Sequence, residues 1–258
     1  MLPQQRKKHI LREVQQRGSA QVQELAEALG VSSMTVRRDL AELEDQGLLS
    51  RTHGGAVPTP SSLEPTFAEK MTLHADAKTA IALSALQFVQ DGQSLGFTAG
   101  TTCTRIAQEI AASGTFRNLT IVTNSLSVAH EFYRTADTGA HGHRVVLTGG
   151  EHTPSDALVG AVADATLEKL SLDLLFMGAH GGSTKGLTSP NLNEARTNET
   201  FMKSADTVVA VFDHSKWGTP GLARFANWSD IDIAITSSGI SPEIHTLLTE
   251  SVERLVVA

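Results

Sequence analysis

The chain has 258 residues, 40% of them apolar, and a formal net charge of −7, a composition that excludes disorder and suits one large domain or a small one plus a medium one. The charge is uneven: residues 1–57 carry eight Lys/Arg against seven Asp/Glu, and residues 58–258 carry 13 against 21, so the acidic part is not expected to embrace nucleic acid. The single Cys103 excludes an intrachain disulfide, no apolar run approaches the roughly 18 residues of a membrane span, and the basic, polar start MLPQQRKKHILREV is no signal peptide; a cytoplasmic protein without a membrane partner is expected.

A first helix is predicted over residues 4–17, with Ile10, Leu11 and Val14 facing inward and Gly18-Ser19 closing it. Val22, Leu25, Ala26 and Leu29 then repeat at helical spacing, Gly30-Val31 supplies a tight turn, and Ser32 or Ser33 caps another helix whose buried stripe is Val36, Leu40 and Leu43. That pattern is a helix-turn-helix. It leaves Ser33, Met34, Thr35, Arg37 and Arg38 on or beside the outward N-terminal part, the groove-facing positions of such a motif. Hydroxyls at a helix start donate to phosphates or base edges, and the two arginines straddle the backbone or pair bidentately with guanine. Residues 48–52 read as a short strand and His53-Gly54-Gly55-Ala56-Val57 as a turn with a returning strand, a basic hairpin that serves as a wing and brings Arg51 and His53 to DNA. The competing reading of the helical pair is a dimerisation element with the arginines solvated. A head of near-zero net charge holds few phosphate contacts, so a homo-oligomer, dimer or tetramer, is expected.

Residues 58–65 hold three of the eight prolines, a composition that favours extended, semi-rigid backbone. The expected organisation is therefore a DNA-binding head over 1–57, a linker over 58–66 and a sensor and oligomerisation domain over 67–258. Residues 67–89 read as helical, with Ala80, Ile81, Leu83, Ala85, Leu86 and Val89 as its stripe. Short apolar runs follow at 94–97, 119–122, 144–147, 174–177, 208–212, 231–235 and 255–257, separated mostly by helix-length segments. The fold class expected is α/β: a small winged helix-turn-helix domain followed by a larger Rossmann-like, mostly parallel sheet.

In such sheets ligands lie beyond the carboxyl ends of the strands. Gly100-Thr101-Thr102 opens a helix and suits a phosphate, although spacing alone leaves an ordinary capped helix equally open. Thr123-Asn124-Ser125 serves sugar hydroxyls or caps the next helix, and Gly149-Gly150 permits close ligand approach. The fourth strand ends in Gly178-Ala179-His180-Gly181-Gly182, Glu194 and Asn198 share a helix face one turn apart, and Lys216 after the fifth strand can meet a phosphate as a point charge.

Arg6, Ile10, Leu25-Ala26, Val31-Ser32, Thr35-Val36-Arg37-Arg38-Asp39-Leu40, Leu43-Glu44, Gly47 and Arg51-Thr52-His53-Gly54-Gly55-Ala56 together resemble the signature of DeoR-type transcriptional regulators. From about Phe67 onward the chain is similar to the effector domain of the same regulators, itself akin to ribose-5-phosphate isomerase. The resemblance implies a DNA-binding regulator, most simply a repressor of a carbohydrate operon, with double-stranded operator DNA and a phosphorylated sugar as partners. The DNA-contacting set it implies is Ser32, Ser33, Met34, Thr35, Arg37, Arg38, Arg51 and His53. The effector set is Gly100, Thr101, Thr102, Thr123, Asn124, Ser125, Gly150, His180, Gly181, Glu194, Asn198 and Lys216. Two positions depart from the family pattern: His180 stands where an Asp is common and Asn198 where a Lys is common. An isomerase-like enzyme fused to a DNA-binding head is the alternative, with Glu194 as base and Lys216 as electrophile, but without those two groups Glu194 is read as a ligand hydrogen-bonder or cap. No catalytic residue, cofactor or metal is expected: Cys103 is read as a small buried filler, and His141, His143, His152, His180 and His214 as solvent-exposed.

Overall fold

Helical periodicity around a small apolar set builds the N-terminal unit. In the computed structural model, which describes residues 3–17, 19–46, 48–58, 65–136 and 142–258, α1 (Pro3–Arg17) is followed by β1 (Ala20–Gln21), α2 (Val22–Leu29), α3 (Ser33–Asp45), β2 (Leu49–Arg51) and β3 (Gly55–Pro58). Ile10, Val14, Leu25, Val36, Leu40 and Leu49 close the core of this unit. Gly30 ends α2 in the left-handed region at φ 62°, and the Val31 amide returns to the Ala26 carbonyl at 3.1 Å, a turn that a side chain at position 30 would strain.

The wing strands form an antiparallel sheet in the order β1-β3-β2, and the two-residue β1 was not foreseen because its period is too short to read. Gly55 pairs with Gln21, and a Cβ placed on it would lie 2.0 Å from the Ala20 carbonyl oxygen, whereas one on Gly54 meets nothing within 4 Å. Gly55→Ala is therefore expected to cost the head about 2 kcal/mol or more, and Gly54→Ala little. Amide exchange across residues 20–22 and 55–58 of the full chain checks this, with an increase of about thirtyfold expected only for the first variant.

The chain divides into the units Met1–Pro65 and Thr66–Ala258; of the predicted linker, residues 59–64 lie outside the described ones. In the second unit α4 (Phe67–Thr72) and α5 (Ala75–Ala85) precede β4 (Ser94–Phe97), α6 (Thr101–Ser113), β5 (Thr120–Thr123), α7 (Leu126–Ala136) and β6 (Arg144–Leu147). The hairpin of β7 (Glu151–His152) and β8 (Leu158–Val159) leads to α8 (Ala161–Leu167), β9 (Leu174–Gly178), β10 (Gly181–Ser183) and β11 (Gly186–Ser189). Then come α9 (Leu192–Lys203), β12 (Val208–Phe212), β13 (Ala223–Ala226), β14 (Ile233–Thr236), α10 (Pro242–Ser251) and β15 (Arg254–Val257).

Seven strands form one sheet in the order β15-β14-β12-β9-β4-β5-β6, and every neighbouring pair is parallel. Alternate residues feed two cores: Phe97, Phe176 and Val211 pack on one face with Ile81 and Ile106, and Met177, Ala210 and Phe212 on the other with Phe201 and Trp228. After β6 the chain returns to lay β9 against the free side of β4, so the strand order reverses between these two strands. That reversal opens a crevice at their carboxyl ends.

Two features differ from the sequence reading. The helix expected over 67–89 is broken at Leu73-His74, where His74 adopts φ 50°, and ends in a 3-10 turn at Leu86–Phe88; Leu83, assigned to its buried stripe, is 54% exposed. The break is stabilised from the α5 side, because Lys78 donates to the Lys70 carbonyl in the last turn of α4, at 2.8 Å, and to the carbonyl of its C-cap Leu73. A second antiparallel sheet, β10-β11-β13, was also unforeseen; its strands are three or four residues long and β10 and β11 carry glycines, which leaves too little alternation to read.

Candidate functional site

Ser32 caps α3, its hydroxyl accepting from the Thr35 amide at 3.2 Å and lying 2.9 Å from the Thr35 hydroxyl. Beyond this cap Met34 is 73% exposed, Arg37 and Arg38 are exposed, and Ser33 and Thr35 are half-buried. A groove of about 450 Å³ runs between α3 and the wing, lined by Arg37, Glu44, Arg51, Thr52, His53 and Gly54 among others. Arg38 reaches Glu42 at 3.2 Å, and Lys7 pairs with the same carboxylate. Arg6 makes a two-pronged pair with the buried Asp39 at 2.5 and 3.1 Å, bracing α1 against α3. This brace escaped the sequence reading because it joins residues 33 positions apart.

Glu44 ties the wing to α3. Its carboxylate accepts the Arg51 backbone amide at 2.8 Å and the Arg51 Nε at 2.6 Å, and these bonds hold it below the usual carboxylate range. If this groove meets DNA, electrostatics alone says that removing its anion tightens binding, whereas the two bonds to Arg51 make Glu44 a strut between α3 and the wing. Glu44→Gln is accordingly expected to weaken specific binding about fivefold, with the salt slope unchanged in a fluorescence anisotropy titration. Tighter specific binding would refute the strut.

At the carboxyl end of the sheet the loops after β4, β9 and β12 leave neighbouring strands. Thr98 joins the first two: its hydroxyl accepts the Gly178 amide at 3.0 Å. Gly100 begins α6 at φ 144°, and its carbonyl accepts the Thr104 amide at 2.9 Å. Thr101 and Thr102 occupy the first turn, nearly buried, and among the described residues no partner engages their hydroxyls. Cys103 packs beneath them with its thiol 3.5 Å from the Phe176 carbonyl, and burial pushes its pKa up to about 12, which suits a filler and not a nucleophile.

The Thr123-Asn124-Ser125 segment is engaged internally. The Thr123 hydroxyl donates to the Phe97 carbonyl at 2.9 Å, and Asn124 bridges the Ala99 amide at 2.8 Å and the Leu158 carbonyl at 3.1 Å. Ser125 donates to Asp156 at 2.6 Å while accepting from the Val128 amide at 3.1 Å. Two glycines have a backbone reason. A Cβ on Gly150 would lie 2.5 Å from the Val159 carbonyl oxygen, and one on Gly181 2.0 Å from that of Thr219. Glu194 accepts from Thr153 at 2.8 Å and Ser189 at 3.3 Å, holding the β7–β8 hairpin and β11 to the start of α9. His180 and Asn198 are half-buried; the neighbouring Thr197 and Arg196 both reach the buried Asp164, at 2.7 and 3.0 Å.

The loop after β12 is the most charged part of this rim. Asp213 is fully buried; its Oδ1 accepts the Ser215 amide at 3.0 Å and the Ser215 hydroxyl, while its Oδ2 finds no hydrogen-bond partner among the described residues. Lys216 follows on the same turn. Lys78, 4% exposed on the inner face of α5, feels both: burial lowers its pKa, the Asp213 charge opposes that and the Lys216 charge adds to it. Sequence reasoning missed Lys78, although a lysine in register with Ile81, Ala82 and Ala85 on a buried helix face was a visible signal. His74 adds an edge-to-face contact with His214, ring centres 5.3 Å apart. No group of three or more His, Cys, Asp or Glu side chains suited to a metal ion occurs among the described residues, and His141 lies outside them.

A winged helix-turn-helix with exposed arginines, carried on a chain with a Rossmann-like domain whose sheet reverses strand order between β4 and β9, has the build of a transcriptional regulator with a sensor domain. A family model described as "DeoR-like helix-turn-helix domain" matches residues 6–61, and one described as "DeoR C terminal sensor domain" matches residues 73–238. The chain belongs to the DeoR family of DNA-binding transcriptional regulators. It is 38% identical over 246 residues to the HTH-type transcriptional regulator GlpR of Haloferax volcanii, covering 94% of this chain and 93% of that one. It is 32% identical over 244 residues to the lactose phosphotransferase system repressor of Staphylococcus aureus, covering 93% and 94%. A ribose-5-phosphate isomerase in complex with phospho-erythronic acid aligns at a TM-score of 0.41 and 14% identity, over 55% of this chain and 54% of that one. The relatives are named as regulators, so the isomerase alternative gives way to a non-enzymatic reading. No helix among the described residues is long and apolar enough to cross a membrane.

Proposed function

We propose that the protein represses a carbohydrate-metabolism operon from the cytoplasm and leaves its operator when a phosphorylated sugar binds between the loops after β4, β9 and β12. The observation that carries this reading is the loop after β12, where the buried Asp213 is followed by Lys216 and where His214 meets His74, ring centres 5.3 Å apart, one helical turn before the buried Lys78. That loop and the start of α6 leave strands two places apart in the sheet, about 10 Å, close to the span of a sugar phosphate. One end of the cleft thus supplies cations and the other hydroxyls and helix-start amides. The S. aureus relative is named as a phosphotransferase-system repressor, in keeping with a carbohydrate operon.

On DNA, a homo-oligomer places two heads on half-sites about 34 Å or a multiple apart, and a rearrangement that misplaces one head releases the pair. Recognition in this reading uses Ser32, Ser33, Met34, Thr35, Arg37, Arg38, Arg51 and His53. The test is a mobility shift on DNA upstream of the chain's own gene, titrated with sugar phosphates and their dephosphorylated forms, alongside thermal shifts of the purified protein. Release and stabilisation by phosphorylated forms only are expected. Equal responses to both forms would discard the phosphate site.

A further inference from the structure

The α4 helix is a weakly held element. It has six residues, none of them buried, and its own capping box, in which Thr66 and Glu69 exchange side-chain and backbone bonds, satisfies its start without help from the rest of the domain. Phe67 and Met71 line a groove of about 370 Å³ together with residues of α6 and α7. Its end is different. Carbonyls of its last turn and C-cap are gathered by Lys78 Nζ, which reaches Lys70 at 2.8 Å and also Leu73. One helical turn before Lys78, His74 meets the ring of His214 in the loop that carries Asp213 and Lys216, centres 5.3 Å apart. In the chain, α4 is the first helix after the linker.

We propose that Lys78 is a positioning residue that ties α4 to the anion pocket, and that an anion bound beside Lys216 frees α4 by drawing this ammonium off the Lys70 and Leu73 carbonyls. The inference rests on the pocket reading above and adds how the pocket is coupled to the linker. An ammonium has three donors, and two of them hold neutral carbonyls. A phosphate oxygen competes well for those donors, because a hydrogen bond between two charged partners is about twice as strong as one to a neutral acceptor. Once the two bonds are lost, the Lys70 and Leu73 carbonyls no longer have the shared donor that ties the end of α4 to α5. The contact between His74 and His214 places the α4–α5 junction against the same loop, so displacement of that loop bears on the junction directly.

Hydrogen exchange of the full-length protein tests the tie. Inorganic phosphate and a sugar-phosphate panel are added to the wild type, with thermal shift as the independent sign of binding. Bound anion is expected to speed exchange of the amides at 70–73 about tenfold while slowing those at the start of α6. Without ligand, Lys78→Met is expected to show the faster α4 exchange already, with no further rise on adding phosphate. A stabilised wild type whose α4 exchange is unchanged or slower would overturn the proposal, as would Lys78→Met with wild-type exchange at α4. If no phosphate compound stabilises the wild type, the pocket reading fails separately, and the ligand-free Lys78→Met comparison still decides whether the tie exists. Should Lys78→Met not fold, the wild-type arm alone decides.

Discussion

Arg37→Ala combined with Arg38→Ala is expected to abolish measurable specific binding to the chain's own promoter region at physiological salt. A bidentate arginine–guanine pair is worth about 1–3 kcal/mol, so losing two such side chains from each head weakens binding at least about a hundredfold. If one of the two contacts phosphate instead, its loss lowers the salt slope by about one per head, and a titration at several salt concentrations separates the roles. The pair between Arg38 and Glu42 does not disqualify Arg38. It is an exposed i,i+4 pair at 3.2 Å with the arginine side chain 82% exposed, and such pairs contribute well under about 1 kcal/mol. The arginine exchanges that partner for DNA at small cost. Unchanged binding by the double variant would mean that α3 is not the recognition helix.

Lys216→Ala is expected to lower affinity for phosphorylated sugars by about 10- to 100-fold, the range of a hydrogen bond to a charged group, and to leave binding of the dephosphorylated sugars as it was. The comparison is read by titration calorimetry. Its consequence for regulation is arithmetical. A hundredfold release from the operator requires the effector to favour the non-binding arrangement by about 2.7 kcal/mol, and Lys216→Ala removes a comparable amount. The variant should therefore remain on its operator at effector concentrations that clear the wild type. A variant that loses affinity equally for phosphorylated and dephosphorylated sugars would place the phosphate elsewhere.

Much of the fold was legible because its signals are local. The apolar spacing of α2 and α3, the Gly30 turn and the Ser32 cap lie within two dozen residues and each follows from backbone geometry. The seven strands of the large sheet were equally readable, since parallel strands buried on both faces appear as short continuous apolar runs such as 174–177 and 208–212. What failed to show was anything that depends on a partner far along the chain. The Arg6–Asp39 brace, the need for glycine at 55, and the Lys78 bonds to the α4 carbonyls all arise where two segments approach in space.

The candidate pocket divides in the same way. The sequence by itself determined that polar, glycine-bearing loops follow the strands, because turn chemistry and helix capping are written in neighbouring residues. Only the tertiary structure decided which of those loops adjoin, by inserting β9 beside β4, and which polar side chains are spent: Thr123, Asn124 and Ser125 are hydrogen-bonded within the scaffold, whereas among the described residues no hydrogen bond engages the Thr101 and Thr102 hydroxyls. The physical reason is that a hydrogen bond or a buried charge is satisfied by whatever the fold brings within about 3 Å, and sequence distance carries no record of that.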